Sequence, residues 1–188
     1  VTKAQVGVAM SAVSIAYAFS KFIMGSVSDR SDARKFLVIG LLLSAFTMIL
    51  AGVIPFSPQT TALNMAIIFV LMLIVGWLSG MGWPPCGRIM AHWFSQNERS
   101  FKMSVWNTSH TFGSGTLGLL STAGMAAVVA FGVPAEQSWK GVFILPSIVA
   151  AAIVGICWML LRGAPQSCGL PSLTAWRSDF SGAKSKPR

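Results

Sequence analysis

Lys21 is the only formal charge between Lys3 and Asp29, and it stands in the apolar run AYAFSKFIMG at 16–25. Tyr17 precedes it by one helical turn, so a phenol and an ammonium share a helix face. A cation with a phenol above it, facing a cavity, suits an oxyanion, and lysine binds phosphate as a point charge. A second polar cluster lies in VWNTSHTFGSGTLG, 105–118, where Asn107, His110 and Thr111 interrupt an apolar stretch. In a membrane span, polar groups at such depth face the bundle interior or a water-filled path. Each also has a plainer use. Lys21 lies about 12 Å along a helix from Asp29, where a long side chain can partly snorkel. His110 can bond a neighbouring helix simply for packing.

Other chemistries find no support. The apolar runs hold no carboxylate pair, no His–carboxylate constellation and no metal-ligand cluster, so no enzyme activity, catalytic residue, cofactor or metal site is expected. Cys86, Cys157 and Cys168 are odd in number and lack ligand spacing. GSGTLG at 113–118 matches a dinucleotide-binding pattern in letters only, because no strand precedes it. The glycosylation sequon at Asn107 falls inside an apolar run, where no such modification occurs.

The elements that must position Lys21 and His110 follow from composition. Of 188 residues, 54% are hydrophobic and only 10% charged, with a mean hydropathy of +0.67. Too little polar surface exists to cover a soluble globule, so lipid is the expected solvent. Five runs are long enough to span it, near 4–27, 35–54, 63–90, 99–130 and 138–162. Thr2 with Gln5 and Ser95 with Glu98 have capping-box spacing. Pro55 and Pro58 close the second run, and Pro134 marks the turn between the fourth and fifth. Period-2 alternation in ten-residue blocks does not recur, which disfavours a membrane barrel.

The net charge of +9 is explained by where the charges fall. Of the 14 basic residues, 11 lie in the first connection, the third connection and the tail after the fifth run. The second connection is uncharged and the fourth carries only Glu136. Alternation of this kind places the basic connections in the cytoplasm. The expected topology puts the N-terminus of the chain outside and its C-terminus inside, and no nucleic-acid partner is expected. The chain opens inside an apolar run, which reads as a piece of a longer protein with one more span before Val1. Residues 163–188 read as the start of a cytoplasmic linker.

Two stretches suggest moving parts. GSVSDRSDARK, 25–35, resembles the loop between the second and third helices of major facilitator transporters. There Gly25 would let helices approach closely, and Asp29, beside Arg30 and Arg34, would pair with an arginine and latch one conformation. In GWLSGMGWPPCGRIMAHW, 76–93, Gly76 and Gly80 form a GxxxG packing motif. Pro84 and Pro85 break helical bonding at depth, so they must be buried or line a cavity.

Taken together, AYAFSKFIMGSVSDRS, GMGWPPCGR, HWFSQNERS, SVWN followed by His110, and APQSCGLP resemble the organophosphate:phosphate antiporters of the major facilitator superfamily. The resemblance implies an all-α membrane protein: helices two to six of the N-terminal six-helix half of a twelve-helix fold. It further implies exchange of a glycerol 3-phosphate-like ester for inorganic phosphate by alternating access, by a monomeric protein of a bacterial inner membrane. Lys21 and His110 match cavity residues of the family, and Tyr17, Trp106 and Asn107 match residues near that cavity. The two arginines that hold phosphate in the family would lie before Val1 and in a second half, so this chain alone is expected not to transport. A transporter-like sensor for a phosphate ester is the second reading.

Overall fold

A computed structural model describes residues 3–55, 61–172 and 175. Thr2 and Pro58, expected to cap and to turn, lie outside the described residues, as does most of the tail beyond 172. Among the described residues six α-helices run Lys3–Asp29 (α1), Ala33–Val53 (α2), Thr61–Ser79 (α3), Trp83–Trp93 (α4), Gln96–Ala130 (α5) and Lys140–Leu160 (α6). Short 3-10 turns follow at Ala135–Gln137 and Pro165–Cys168. No strand occurs among the described residues. Five stretches of the described residues are long and apolar enough to cross a membrane, with α3 and α4 together forming one of them, Thr61–Trp93.

The connections show why helices stop where they do. Asp32 adopts an extended conformation as N-cap of α2, and its Oδ1 accepts from the Lys35 backbone N–H at 3.0 Å. The third expected run is interrupted: α3 ends in a turn at 80–82, and α4 starts at Trp83 with proline in its first turn. A proline there lacks only an N–H that would have no helical partner anyway. The apolar character continues through the break, so hydropathy alone runs straight across it. Ser95 caps α5 by position, yet its hydroxyl makes no capping bond and is buried without a partner, so its half of the expected capping box does not form. After α5, Gly132 turns the chain at φ +88°, and the Val133 N–H reaches back to the Val128 carbonyl at 3.0 Å.

Packing relies on small residues. Ala12, Ala16 and Ser20 are buried at one-turn spacing along α1, and this stripe meets α3, its most extensive neighbour. At Gly76 a Cβ would run into the Val13 backbone, 2.8 Å from its Cα, and at Gly80 one would strike Ser20. The Ser20 hydroxyl donates to the Trp77 carbonyl across the same seam. Lipid offers helices no hydrophobic reason to associate, so close backbone approach and inter-helix hydrogen bonds must supply the attraction. From α3 the bundle continues through α2 and α6 to α5, and α4 bridges α1, α2 and α5. Large apolar side chains point outward, as Phe22 does at 82% exposure, the arrangement suited to a lipid surround.

At Gly25 an added Cβ would meet nothing within 4 Å among the described residues. The tight seam lies one to two turns earlier on α1, where Ser20 faces Gly80.

Candidate functional site

α1 sets Tyr17 and Lys21 one turn apart, and Lys21 Nζ lies 4.6 Å from the Tyr17 ring centroid. Its second aromatic neighbour is Trp83, the first residue of α4, at 5.4 Å. Both distances fall in the range where a cation is drawn to a ring face. Register along the α1–α3 seam fixes this cation. Ser20 is buried against Gly80, and a Cβ at Gly80 would sit 3.2 Å from the Lys21 backbone nitrogen. The ammonium is therefore delivered by a small-residue contact one position before it.

Trp83 links the cation to the polar stretch of α5. It meets Trp106 edge to face, with centroids 4.6 Å apart and planes at 80°. Beyond this pair opens a cavity of about 420 Å³. Trp106, Asn107 and His110 of α5 line it, with Ser44 of α2 and Met81 at the α3–α4 break. Its volume suits a small molecule, and its mostly apolar wall with a few polar groups is the usual composition of such a site.

The expected site residues therefore come in two groups. Trp106, Asn107 and His110 share the cavity wall. Tyr17 and Lys21 are not among the lining residues, and reach the cavity only through Trp83. Trp83 is the residue that motif reading did not single out. Its signal was its place just before Pro84–Pro85: a helix must start there, so its first residue stands at the edge of the break. Ser44 and Ser109, also on the wall, carried no signal, since serines are common throughout these helices.

The turn at 25–35 is held to other helices through arginines. Among the described residues Asp29 forms no ion pair with an arginine. The end of α1 is instead held by Arg88 of α4, whose guanidinium donates to the carbonyls of Ser28 and, at 2.6 Å, Ser31. Arg30 is exposed. Arg34 donates to the Trp158 carbonyl of α6 and lies 4.5 Å from that indole's centroid. The carbonyls at a helix C-terminus lack helical donors, and these two arginines supply some.

Five membrane-length apolar stretches among the described residues, with a cavity between α2, α3, α4 and α5, define a polytopic α-helical membrane protein. Residues 1–184 match the Major Facilitator Superfamily, and the chain belongs to that superfamily. It is 48% identical over 179 residues to a glycerol-3-phosphate transporter of Bacillus subtilis, covering 95% of this chain and 38% of the relative. A glycerol-3-phosphate transporter of Haemophilus influenzae is 41% identical, with 95% and 37% covered. The membrane sensor protein UhpC of Escherichia coli is 32% identical, again with 95% and 37% covered. The chain thus spans less than two fifths of the length of these relatives. No solved structure gives a significant match.

Proposed function

We propose that this chain forms part of a secondary transporter that exchanges glycerol 3-phosphate, or a closely similar phosphate ester, for inorganic phosphate by alternating access. The observation that carries this reading is the run Tyr17–Lys21–Trp83–Trp106, which leads a mid-span cation to the cavity of Asn107 and His110. Lys21 neutralises phosphate charge, and His110 and Asn107 supply hydrogen bonds to its oxygens. Tyr17 and Trp106 border the path. The similarity to glycerol-3-phosphate transporters favours that ester.

In this reading the described helices are spans two to six of the protein, and the residues after 162 begin the linker between its halves. The basic turns face the cytoplasm of a bacterial cell, the protein works as a monomer, and the turn with Gly25, Asp29, Arg30 and Arg34 changes partners as the cavity opens to either side. Substrate drives the carrier only if it binds one state better than another. A phosphate held jointly by Lys21 and by residues beyond this chain meets that condition by favouring closure. The chain by itself is then inactive in exchange.

The test is phosphate exchange by the full-length protein in proteoliposomes, with and without Lys21→Ala. The expected result is exchange with glycerol 3-phosphate in the wild type, and an affinity lowered about tenfold to a hundredfold in the variant, the cost of losing a charge-assisted contact. Unchanged exchange in a folded variant would make Lys21 a snorkelling residue and sink the site. The similarity to a membrane sensor supports a second reading, in which the ester is bound and signalled but not moved. Binding without exchange by the wild type would select it.

A further inference from the structure

A second cavity, of about 350 Å³, opens at the end of the bundle that carries the basic turns. None of its wall residues lines the cavity of Trp106 and His110. Arg34, Arg88, His92, Arg162 and Ser167 line it, and Asp32 is the only acidic residue on the wall. That carboxylate already accepts from the Lys35 backbone N–H. Three arginines thus line one space with a single, partly committed counter-charge.

The arginines come from three elements, and each is held in place. Arg34, in the first turn of α2, is anchored by the Trp158 carbonyl and ring. Arg88, on α4, is anchored by the Ser28 and Ser31 carbonyls. Arg162 follows α6, and its carbonyl accepts from the Trp93 indole N–H at 2.9 Å. A guanidinium has more N–H donors than these bonds use. Arg34 Nε is buried without a partner, an arrangement that is costly for a charged group unless something else accepts. The first residues of α2, Ala33 and Arg34, also lie on the wall, so the positive end of a 21-residue helix adds to the field.

We propose that this pocket binds a phosphate group, from free phosphate or from the headgroup of an anionic phospholipid. Phosphate fits better than a carboxylate. Its several oxygens can accept from more than one guanidinium fork, and its charge matches the local excess of cations. Juxtamembrane arginines draw anionic headgroups in general, and this pocket adds fixed geometry to that attraction. It is a site separate from the proposed transport path and makes no use of Lys21.

The experiment has two arms, both on the full-length protein in nanodiscs. In the first, phosphatidylcholine nanodiscs are doped with phosphatidylglycerol, and native mass spectrometry counts the phosphatidylglycerol retained. In the second, inorganic phosphate is titrated in pure phosphatidylcholine nanodiscs on a Lys21→Ala background, so that the transport site does not report. Arg162→Gln is expected to weaken binding at least about tenfold in the responding arm, the loss of a charge-assisted fork. Lys140→Gln, which removes an equal charge near the other end of the bundle, is expected to change nothing. A response in the lipid arm alone assigns the pocket to a headgroup, and a response in the phosphate arm alone assigns it to free phosphate. No effect of Arg162→Gln in either arm overturns the proposal, as does an equal effect of Lys140→Gln. Arg162→Lys keeps the charge but loses the fork, so it serves should Arg162→Gln fail to fold: weaker binding upholds the site and unchanged binding overturns it.

Discussion

The α1–α3 seam and the long helix α5 solve opposite problems. Along the seam, Ala12, Ala16 and Ser20 are buried, and Gly76 and Gly80 lie so close to Val13 and Ser20 that a single added carbon has no room. Along α5, Gly124 is the only buried residue among the helix's 35, and it meets Gly141 of α6. Yet α5 carries Trp106, Asn107 and His110, while the seam carries Lys21 at its edge. One wall of the proposed site is therefore locked in register. The other packs along α6, with Gly124 against Gly141, and meets α4 through one pair of indoles near the cavity. In the proposed carrier, the locked seam would serve as a fixed reference and α5 as the wall that shifts over it.

The largest expected effect comes from breaking the locked side. Gly76→Leu places a branched side chain against the Val13 backbone, which cannot yield as a flexible side chain could. Overpacking costs about 1–3 kcal/mol even where side chains adjust, so a cost at or beyond the top of that range is expected. Size-exclusion behaviour and the thermal unfolding midpoint in nanodiscs measure it. Wild-type stability in Gly76→Leu would mean that the seam is looser than it looks, and the contrast with α5 would collapse.

The same contrast explains what could be read from the sequence. An all-helical membrane architecture follows from five long apolar runs, and charge alternation added an expected orientation. GxxxG spacing correctly flagged Gly76 and Gly80 for close packing. At Gly25 no described residue comes close, since a glycine permits close approach without requiring it and which face meets a neighbour is a tertiary matter. In this conformation Arg88 goes to the Ser28 and Ser31 carbonyls, a pairing that the sequence does not announce. Polarity at depth pointed to Lys21, His110 and Asn107. It could not reveal Trp83, because an indole in an apolar run looks like lipid-facing bulk until Lys21 and Trp106, on two other helices, are brought to it.

A smaller effect tests the link between the two walls. Trp83→Leu removes one aromatic neighbour of Lys21 and the edge contact to Trp106, while keeping an apolar side chain at the start of α4. A partly desolvated cation–π contact contributes about 0.5–2 kcal/mol. The affinity of the full-length protein for glycerol 3-phosphate should then fall about threefold to tenfold, with Trp83→Phe recovering part of the loss. If Trp83→Leu binds like the wild type, the cation and the cavity work independently, and the bridge between fixed and movable walls is only packing.

The smallest effect is expected on the outer face of α5. Phe112 is 76% exposed and lies two residues past His110, so its side chain leaves the helix on nearly the opposite side from the cavity. Met72 of α3 is only 7% exposed. In this chain held in nanodiscs, Met72→Ala should cost about 2 kcal/mol or more, as a buried truncation does. Phe112→Ala should stay within about 0.5 kcal/mol, because lipid tails refill the space a lost ring vacates. Unfolding midpoints of the two variants give the comparison directly. Repeating it in the full-length protein sharpens the result. A Phe112→Ala cost that rises towards that of Met72→Ala would show protein rather than lipid against this face, and α5 would then be a helix clamped on both sides rather than the shifting wall.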